Sequence, residues 1–192
     1  MQSICVYCAS STQINPLYFE AAAELGKLLA ENKLELVYGG GSNGLMGRLA
    51  DAVLDNGGVC IGVIPQFMCD QNWNHQNLSK LIVTETMHER KEKMAFMCDA
   101  AVALPGGCGT FEELLEVITW KQLGIFTKPI IIVNINGYYE PLIEMLHKAI
   151  DEKFMRELHR DIWIVVNEVN EIIPAIKNAK VWDKSVRKFA AI

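Results

Sequence analysis

The residues in this chain whose types and spacing best suit chemistry fall in two glycine loops and two charged clusters. One loop is Gly39-Gly40-Gly41-Ser42-Asn43-Gly44-Leu45-Met46-Gly47, and the other is Pro105-Gly106-Gly107-Cys108-Gly109-Thr110. Glycine lets backbone N–H groups approach an anion closely where a helix begins, at the positive end of its dipole. Two such loops suit a small phosphorylated ligand, while tight turns or close helix packing are the competing explanation for each glycine. The first loop formally fits G-x-G-x-x-G at Gly39, Gly41 and Gly44, but a dinucleotide site also needs a carboxylate about 20 positions on. The next strand ends Val63-Ile64-Pro65-Gln66, so no NAD-type site is expected. Neither loop carries the Gly-Lys-Ser/Thr of a Walker motif.

The second loop continues into Thr110-Phe111-Glu112-Glu113. Thr110 and Glu113 have capping-box spacing, which by itself accounts for both. On a helical wheel, Glu112, Glu113, Glu116 and Thr119 share an arc opposite Phe111, Leu114 and Ile118. As a solvated face this arc needs no ligand; lining a cleft, it raises at least one carboxyl pKa unless a cation balances it. A candidate cation lies in the segment Met87 to Cys98, where Arg90 and Lys91 share an arc with Met87, Met94, Met97 and Cys98. Glu89, Glu92 and Lys93 face elsewhere, and Phe96 opposite keeps the stripe from being clean. Charged residues on an apolar stripe are seldom buried without a partner, although their stems can snorkel to water. A guanidinium forks onto a carboxylate or a phosphate, so Arg90 is expected to contact one of them.

The elements that must hold these groups alternate from end to end. Strand-like runs at 3–8, 34–38, 59–64, 81–84, 100–104, 129–135 and 162–166 are separated by helical patterns at 16–31, 45–56, 87–98, 111–123, 139–153 and 169–178. Such alternation predicts an α/β fold, a doubly wound parallel sheet with helices on both faces. The apolar runs AAVAL and IIIV suit strands buried on two sides. Ligands of such sheets bind beyond the carboxyl ends of the strands, which points to the two glycine loops and to Ala9-Ser10-Ser11-Thr12. The 192 residues fit one domain over 1–192, with a surface extension after Trp182.

With 51% apolar and 21% charged residues the chain is not disordered, and a net charge of −5 removes the general cationic attraction that binding to nucleic acid or anionic membranes uses. No apolar stretch approaches a membrane span, and the first basic residue is Lys27, so no secretory n-region and a cytoplasmic location are expected. Cys5, Cys8, Cys60, Cys69, Cys98 and Cys108 read as small buried hydrophobes in a reducing compartment. His75, His88, His147 and His159 lack ligand spacing, so no metal is expected.

The run Pro105 to Glu113 resembles the PGGxGTxxE signature of the LONELY GUY (LOG) family, cytokinin riboside 5′-monophosphate phosphoribohydrolases often labelled lysine decarboxylases. Cys8-Ala9-Ser10-Ser11, Tyr38 to Gly41 with Gly44 to Gly47, and Met87-His88-Glu89-Arg90-Lys91 also look like family blocks, in family order, over about residues 3–178. The resemblance implies a Rossmann-like fold, a homodimer, and hydrolysis of an adenine-type nucleotide to free base and ribose 5-phosphate. It implies catalytic roles for Arg90 and Glu113. The candidate substrate contacts are Ser10, Gly40, Gly41, Gly44, Met87, Lys91, Gly106, Gly107, Cys108, Gly109, Thr110, Glu112 and Thr119. Asp70-Gln71-Asn72-Trp73 departs from the family, with Asn72 where members usually carry a glutamate near the base.

The chemistry agrees with these residues. Breaking a ribosyl C–N bond develops oxocarbenium charge at C1′, which the Glu113 carboxylate can face as electrostatic partner or as general base for water. Arg90 stays protonated and is no general acid; it orients the phosphate or Glu113 and supports charge on the departing base. A phosphate held by Gly107, Gly109 and Thr110 would anchor the ribose, and neither metal nor redox cofactor is required. This reading requires the Glu113 carboxyl to lie beside a pocket bordered by Gly107 and Gly109. Rival readings are a general nucleotide 5′-monophosphate nucleosidase and a non-catalytic nucleotide carrier or sensor, which needs the loops but not the Arg90 and Glu113 pair. An apolar pocket for an isopentenyl group can draw on Phe67, Trp73, Met87 and Met94, which read equally as core. Decarboxylation needs a Schiff-base lysine, for which no lysine has a recognisable setting.

Overall fold

The computed structural model describes residues 1–183, so all but the first residue of the expected extension after Trp182 lies outside the described residues. Among the described residues, seven strands form one sheet in the order β4-β3-β2-β1-β5-β6-β7. They are β1 (Ser3–Tyr7), β2 (Glu35–Tyr38), β3 (Cys60–Pro65), β4 (Lys80–Thr84), β5 (Ala100–Ala103), β6 (Ile130–Val133) and β7 (Ile164–Val166). Every neighbouring pair is parallel. The short apolar strands β5 and β6 are buried along their whole length, as strands covered on both faces must be.

The helices are α1 (Pro16–Glu31), α2 (Gly44–Asp55), α3 (Gln66–Asp70), α4 (Met87–Phe96), α5 (Cys108–Gln122), α6 (Glu140–Asp151) and α7 (Ile172–Lys177). On one face of the sheet α1, α2 and α7 bury Leu25, Leu49 and Ile172; on the other, α4, α5 and α6 bury Met94, Leu114 and Ile143. Local chemistry fixes the helix starts. Pro16 follows Asn15, whose side chain accepts from Leu17 N at 3.0 Å, and Thr86 caps α4 by accepting from Glu89 N at 3.1 Å.

The strand order grows outward in both directions from β1 and β5, so the crevice of this doubly wound sheet opens where those two strands end. Two features depart from the periodicity. Helix α3 forms in a segment with no helical pattern, and the expected helix over 169–178 begins as a 3-10 turn, Val169–Glu171, before α7.

Candidate active site

The loops after β1 and β5 meet at the crevice, with Ala9 N donating to Pro105 O at 3.2 Å. The carbonyl of Ala9 in turn accepts from Leu45 N and Met46 N, at 2.9 and 3.2 Å. The Leu45 and Met46 amides of α2 are therefore already satisfied by protein, and the first glycine loop is built for close packing. Gly44 has φ +64°, and a Cβ there would overlap the Ser10 backbone; a Cβ on Gly39 would overlap the Arg90 guanidinium. Gly40 has φ +76° and its carbonyl accepts from His75 N at 2.9 Å, while Gly41 packs on Met46.

The second loop behaves oppositely. Helix α5 begins at Cys108, three residues before the expected start, with Gly107 as an N-cap that offers no side chain. Gly107, Cys108 and Gly109 are exposed, and a Cβ on Gly107 or Gly109 would meet nothing within 4 Å. The leading amides of an α-helix have no intrahelical partner, so this terminus presents N–H groups and a positive dipole to an anion. Gly106 instead packs against the Thr110 side chain, which is buried.

The expected capping box between Thr110 and Glu113 does not form, because both lie inside the helix and Glu113 has a tertiary partner. Arg90 Nη1 donates to Glu113 Oε1 at 2.8 Å. Both residues are buried, at 7% and 9% exposure. Arg90 Nε also donates to Val63 O at 3.0 Å, and Nη2 to Gly39 O at 3.3 Å, so the guanidinium is fixed from three sides. Burial raises the Glu113 pKa above its ordinary value, against the opposing charge and hydrogen bond of Arg90.

The carboxylate arc splits. Glu113 lies about 100° round the helix from Glu112, one residue step, and points inward. Glu112 and Glu116 together hold Lys91, whose Nζ lies 2.9 and 3.2 Å from their oxygens. Burial pulls the Lys91 pKa down, but these two partners outweigh it and raise it; the same hydrogen bond from Lys91 lowers Glu112. Met94 and Cys98 are buried with Arg90 and Lys91, and Phe96 on the far side is exposed and stacked on Trp120. The stripe is thus borne out at Arg90, Lys91, Met94 and Cys98, with both cations paired, while Met87 and Met97 are half-buried.

A cavity of about 320 Å³ lies over the ends of β2 and β3, lined by Ser10, Gly39, Gly41, Ser42, Asn43, Met46, Ile64, Met68, Trp73 and Arg90. A separate hollow of 230 Å³ is bordered by Gly106, Gly107, Tyr18 and Tyr138. The pocket expected beside Glu113, bordered by Gly107 and Gly109, is not found as such: Gly107 borders the smaller hollow, Gly109 and Glu113 border neither, and Glu113 meets the larger only through Arg90 on its wall. A third, of 380 Å³, carries Glu20, Glu24 and Glu168 on its rim at the ends of β6 and β7, and holds none of the predicted residues.

Of the four residues expected to supply an apolar pocket, Trp73 alone lines the cavity. Met94 is core, Phe67 is exposed, and Met87 is half-buried at the start of α4. Thr119 is also exposed, with its hydroxyl donating to Leu115 O at 2.8 Å along its own helix. Met46, Ile64 and Met68 also line the cavity, although apolar residues at such positions read as core in the sequence. Four cysteines are buried as expected, but Cys69 is half-buried and Cys108 is exposed at the start of α5. Among the described residues, no three His, Cys, Asp or Glu side chains converge as metal ligands.

Comparison with known proteins identifies the family. A family model described as possible lysine decarboxylase matches residues 46–176. The cytokinin riboside 5′-monophosphate phosphoribohydrolase LOG2 of Arabidopsis thaliana is 40% identical, over 97% of this chain and 92% of its own length. Its counterpart LOG of Oryza sativa subsp. japonica is 44% identical, over 94% and 77%. Among solved structures, the molybdenum cofactor carrier protein of Chlamydomonas reinhardtii superposes with a TM-score of 0.73 at 23% identity, over 93% of this chain and 97% of its own. At that identity the likeness is one of fold. On the sequence relationships, the chain belongs to the LOG family of cytokinin riboside 5′-monophosphate phosphoribohydrolases.

Proposed function

We propose that the protein hydrolyses the N-glycosidic bond of adenine-type nucleoside 5′-monophosphates, cytokinin riboside 5′-monophosphates among them, releasing free base and ribose 5-phosphate. The observation that carries the assignment of residues is the buried Arg90–Glu113 pair at 2.8 Å, which ties the wall of the 320 Å³ cavity to α5, the helix whose first amides are open. Amides of Cys108, Gly109 and Thr110 donate to the phosphate, whose binding holds C1′ near Glu113. As the C1′–N bond lengthens, the Glu113 carboxylate stabilises the oxocarbenium charge, or takes a proton from the water that adds to C1′. Arg90 keeps its proton, fixes Glu113 and offsets negative charge on the departing base.

Decarboxylation, the chemistry in the family model's description, calls for a lysine free to form a Schiff base. Lys91, next to Arg90, is instead clamped by two carboxylates. A homodimer in the cytoplasm completes the proposal. Phe96, Leu115 and Leu123 expose apolar surface on α4 and at the end and outer side of α5, and the unpaired cysteines suit a reducing compartment.

The test is release of ribose 5-phosphate from AMP and isopentenyl-AMP, with the matching nucleosides assayed for free base. Both nucleotides should turn over, and the nucleosides should be slower by a factor of about 100 or more, since they lack the anchor. Glu113→Gln should lose roughly 10²- to 10³-fold in kcat while still binding nucleotide. Nucleosides cleaved as fast as nucleotides would remove the phosphate anchor, and binding by the wild type without turnover would make the protein a carrier.

A further inference from the structure

Next to Asn72, the departure from the family pattern, Trp73 forms part of the cavity wall. Helix α3 ends with Asn72 N donating to Cys69 O at 2.8 Å and Trp73 N donating to Met68 O at 3.2 Å. Asn72 has φ +57°. These two bonds around a left-handed residue form a Schellman cap, in which the residue after the turn packs on the one three positions inside the helix end. Asparagine tolerates that backbone at little cost, which a β-branched or bulky residue does not. Asn72 is exposed and does not line the cavity; the two residues its turn brings together, Trp73 and Met68, both do.

The far side of Trp73 is tied down as well. Its carbonyl accepts from Ser42 N at 2.9 Å and from Ser42 Oγ at 3.2 Å. Asn74 forms a β-bridge with Gly41, and His75 N donates to Gly40 O. The Trp73 backbone is therefore stitched to the glycine loop that also holds Arg90, while Trp73 remains 49% exposed. Phe96, similarly exposed, is stacked on Trp120; among the described residues Trp73 has no ring partner. A preorganised indole without a partner, at the wall of a cavity whose other apolar sides are Met46, Ile64 and Met68, is a surface for a flat ring.

We propose that Trp73 is the platform on which the base stacks, and that this makes the enzyme selective for purine over pyrimidine 5′-monophosphates and tolerant of substituents on the purine. A π-face is matched by ring area, with little dependence on exocyclic hydrogen bonding. Position 72 lies outside the cavity and serves it only through the turn. The kinetic part rests on the hydrolase reading, whereas the binding part does not.

The test uses Trp73→Ala and Trp73→Phe with AMP, isopentenyl-AMP and CMP. Trp73→Ala should raise KM for AMP roughly ten- to a hundredfold, as for removal of a stacking partner, with little change in kcat. Its AMP-over-CMP preference in kcat/KM should fall with it. Trp73→Phe should recover most of both and serves as the folded control. Independently of turnover, AMP should quench tryptophan emission in Glu113→Gln, and calorimetry should show the matching loss of AMP affinity in Trp73→Ala. The proposal is overturned if Trp73→Ala keeps the wild-type affinity and base preference, or if AMP leaves the emission unchanged. A wild type that cleaves neither nucleotide but shows the quench would sink the hydrolase reading and leave the platform standing.

Discussion

Glycine has opposite meanings in the two loops of this site. At Gly39 the missing Cβ makes room for Arg90; at Gly109 it leaves open space over helix amides. Gly39→Ala should displace the guanidinium, break the buried ion pair and cost about 3–5 kcal/mol, read as a lower Tm together with lost turnover. Gly109→Ala should behave in reverse. Alanine is the better helix residue, so stability should hold or rise by up to about 1 kcal/mol, while KM for the nucleotide rises roughly tenfold as the methyl crowds the phosphate. A Gly109→Ala protein with unchanged KM would place the phosphate elsewhere. Burial also sets the pH response of Glu113. Its folded pKa lies above the unfolded value, so the stability it contributes is present at low pH and lost as pH rises through the raised value. The ionised form that the proposed mechanism needs is thus the form its surroundings disfavour. The acid limb of the kcat/KM profile should lie above the ordinary carboxylate range, and a limb within that range would remove Glu113 from its role.

Helices α4 and α5 hold the pair in register. Lys91 is one residue from Arg90, and its two carboxylate partners are Glu112 and Glu116, flanking Glu113 on the next helix. A second ion pair beside the first restrains how the helices slide, so Arg90 and Glu113 stay 2.8 Å apart. Much of this was legible from periodicity alone. Alternation of strand and helix patterns located the sheet, and an arc of two cations on the apolar stripe of α4 marked Arg90 and Lys91 as residues needing partners. Identifying which partners was harder, because Thr110 and Glu113 fit a local cap equally well, and the contact that decides the matter spans 23 positions. The segment after β3 was less legible still. Its bonds run from Trp73 to Ser42, Asn74 to Gly41 and His75 to Gly40, so no local period records them. Sequence did register Asn72 as a departure, but only the backbone reveals it as a left-handed turn that sets Trp73 on the cavity wall.

At the scale of the whole molecule, the doubly wound sheet buries both faces of its inner strands, and apolar residues left outside offer surface for a partner. Leu115 on α5 and Leu123 at its C-cap, eight positions apart, both lie exposed, and Thr119 between them is exposed too. Residues four and eight apart share one side of a helix, so these three form a stripe. Phe96, stacked on Trp120, lies toward the same end of α5 as Leu123. The Thr119 hydroxyl donates along its own helix and lines none of the three hollows described above, which leaves it on this outer stripe. A second copy of the chain docking there would cover the stripe and exclude water from it, the usual driving force for a homodimer. Light scattering on the eluted protein should therefore give twice the chain mass. Leu115→Glu combined with Leu123→Glu should halve it, because two buried like charges in each copy face their symmetry mates, while circular dichroism stays that of the folded protein. A wild-type protein that elutes as a monomer at the concentrations used for assay would refute the dimer, and a double variant that remains dimeric would move the interface to another face.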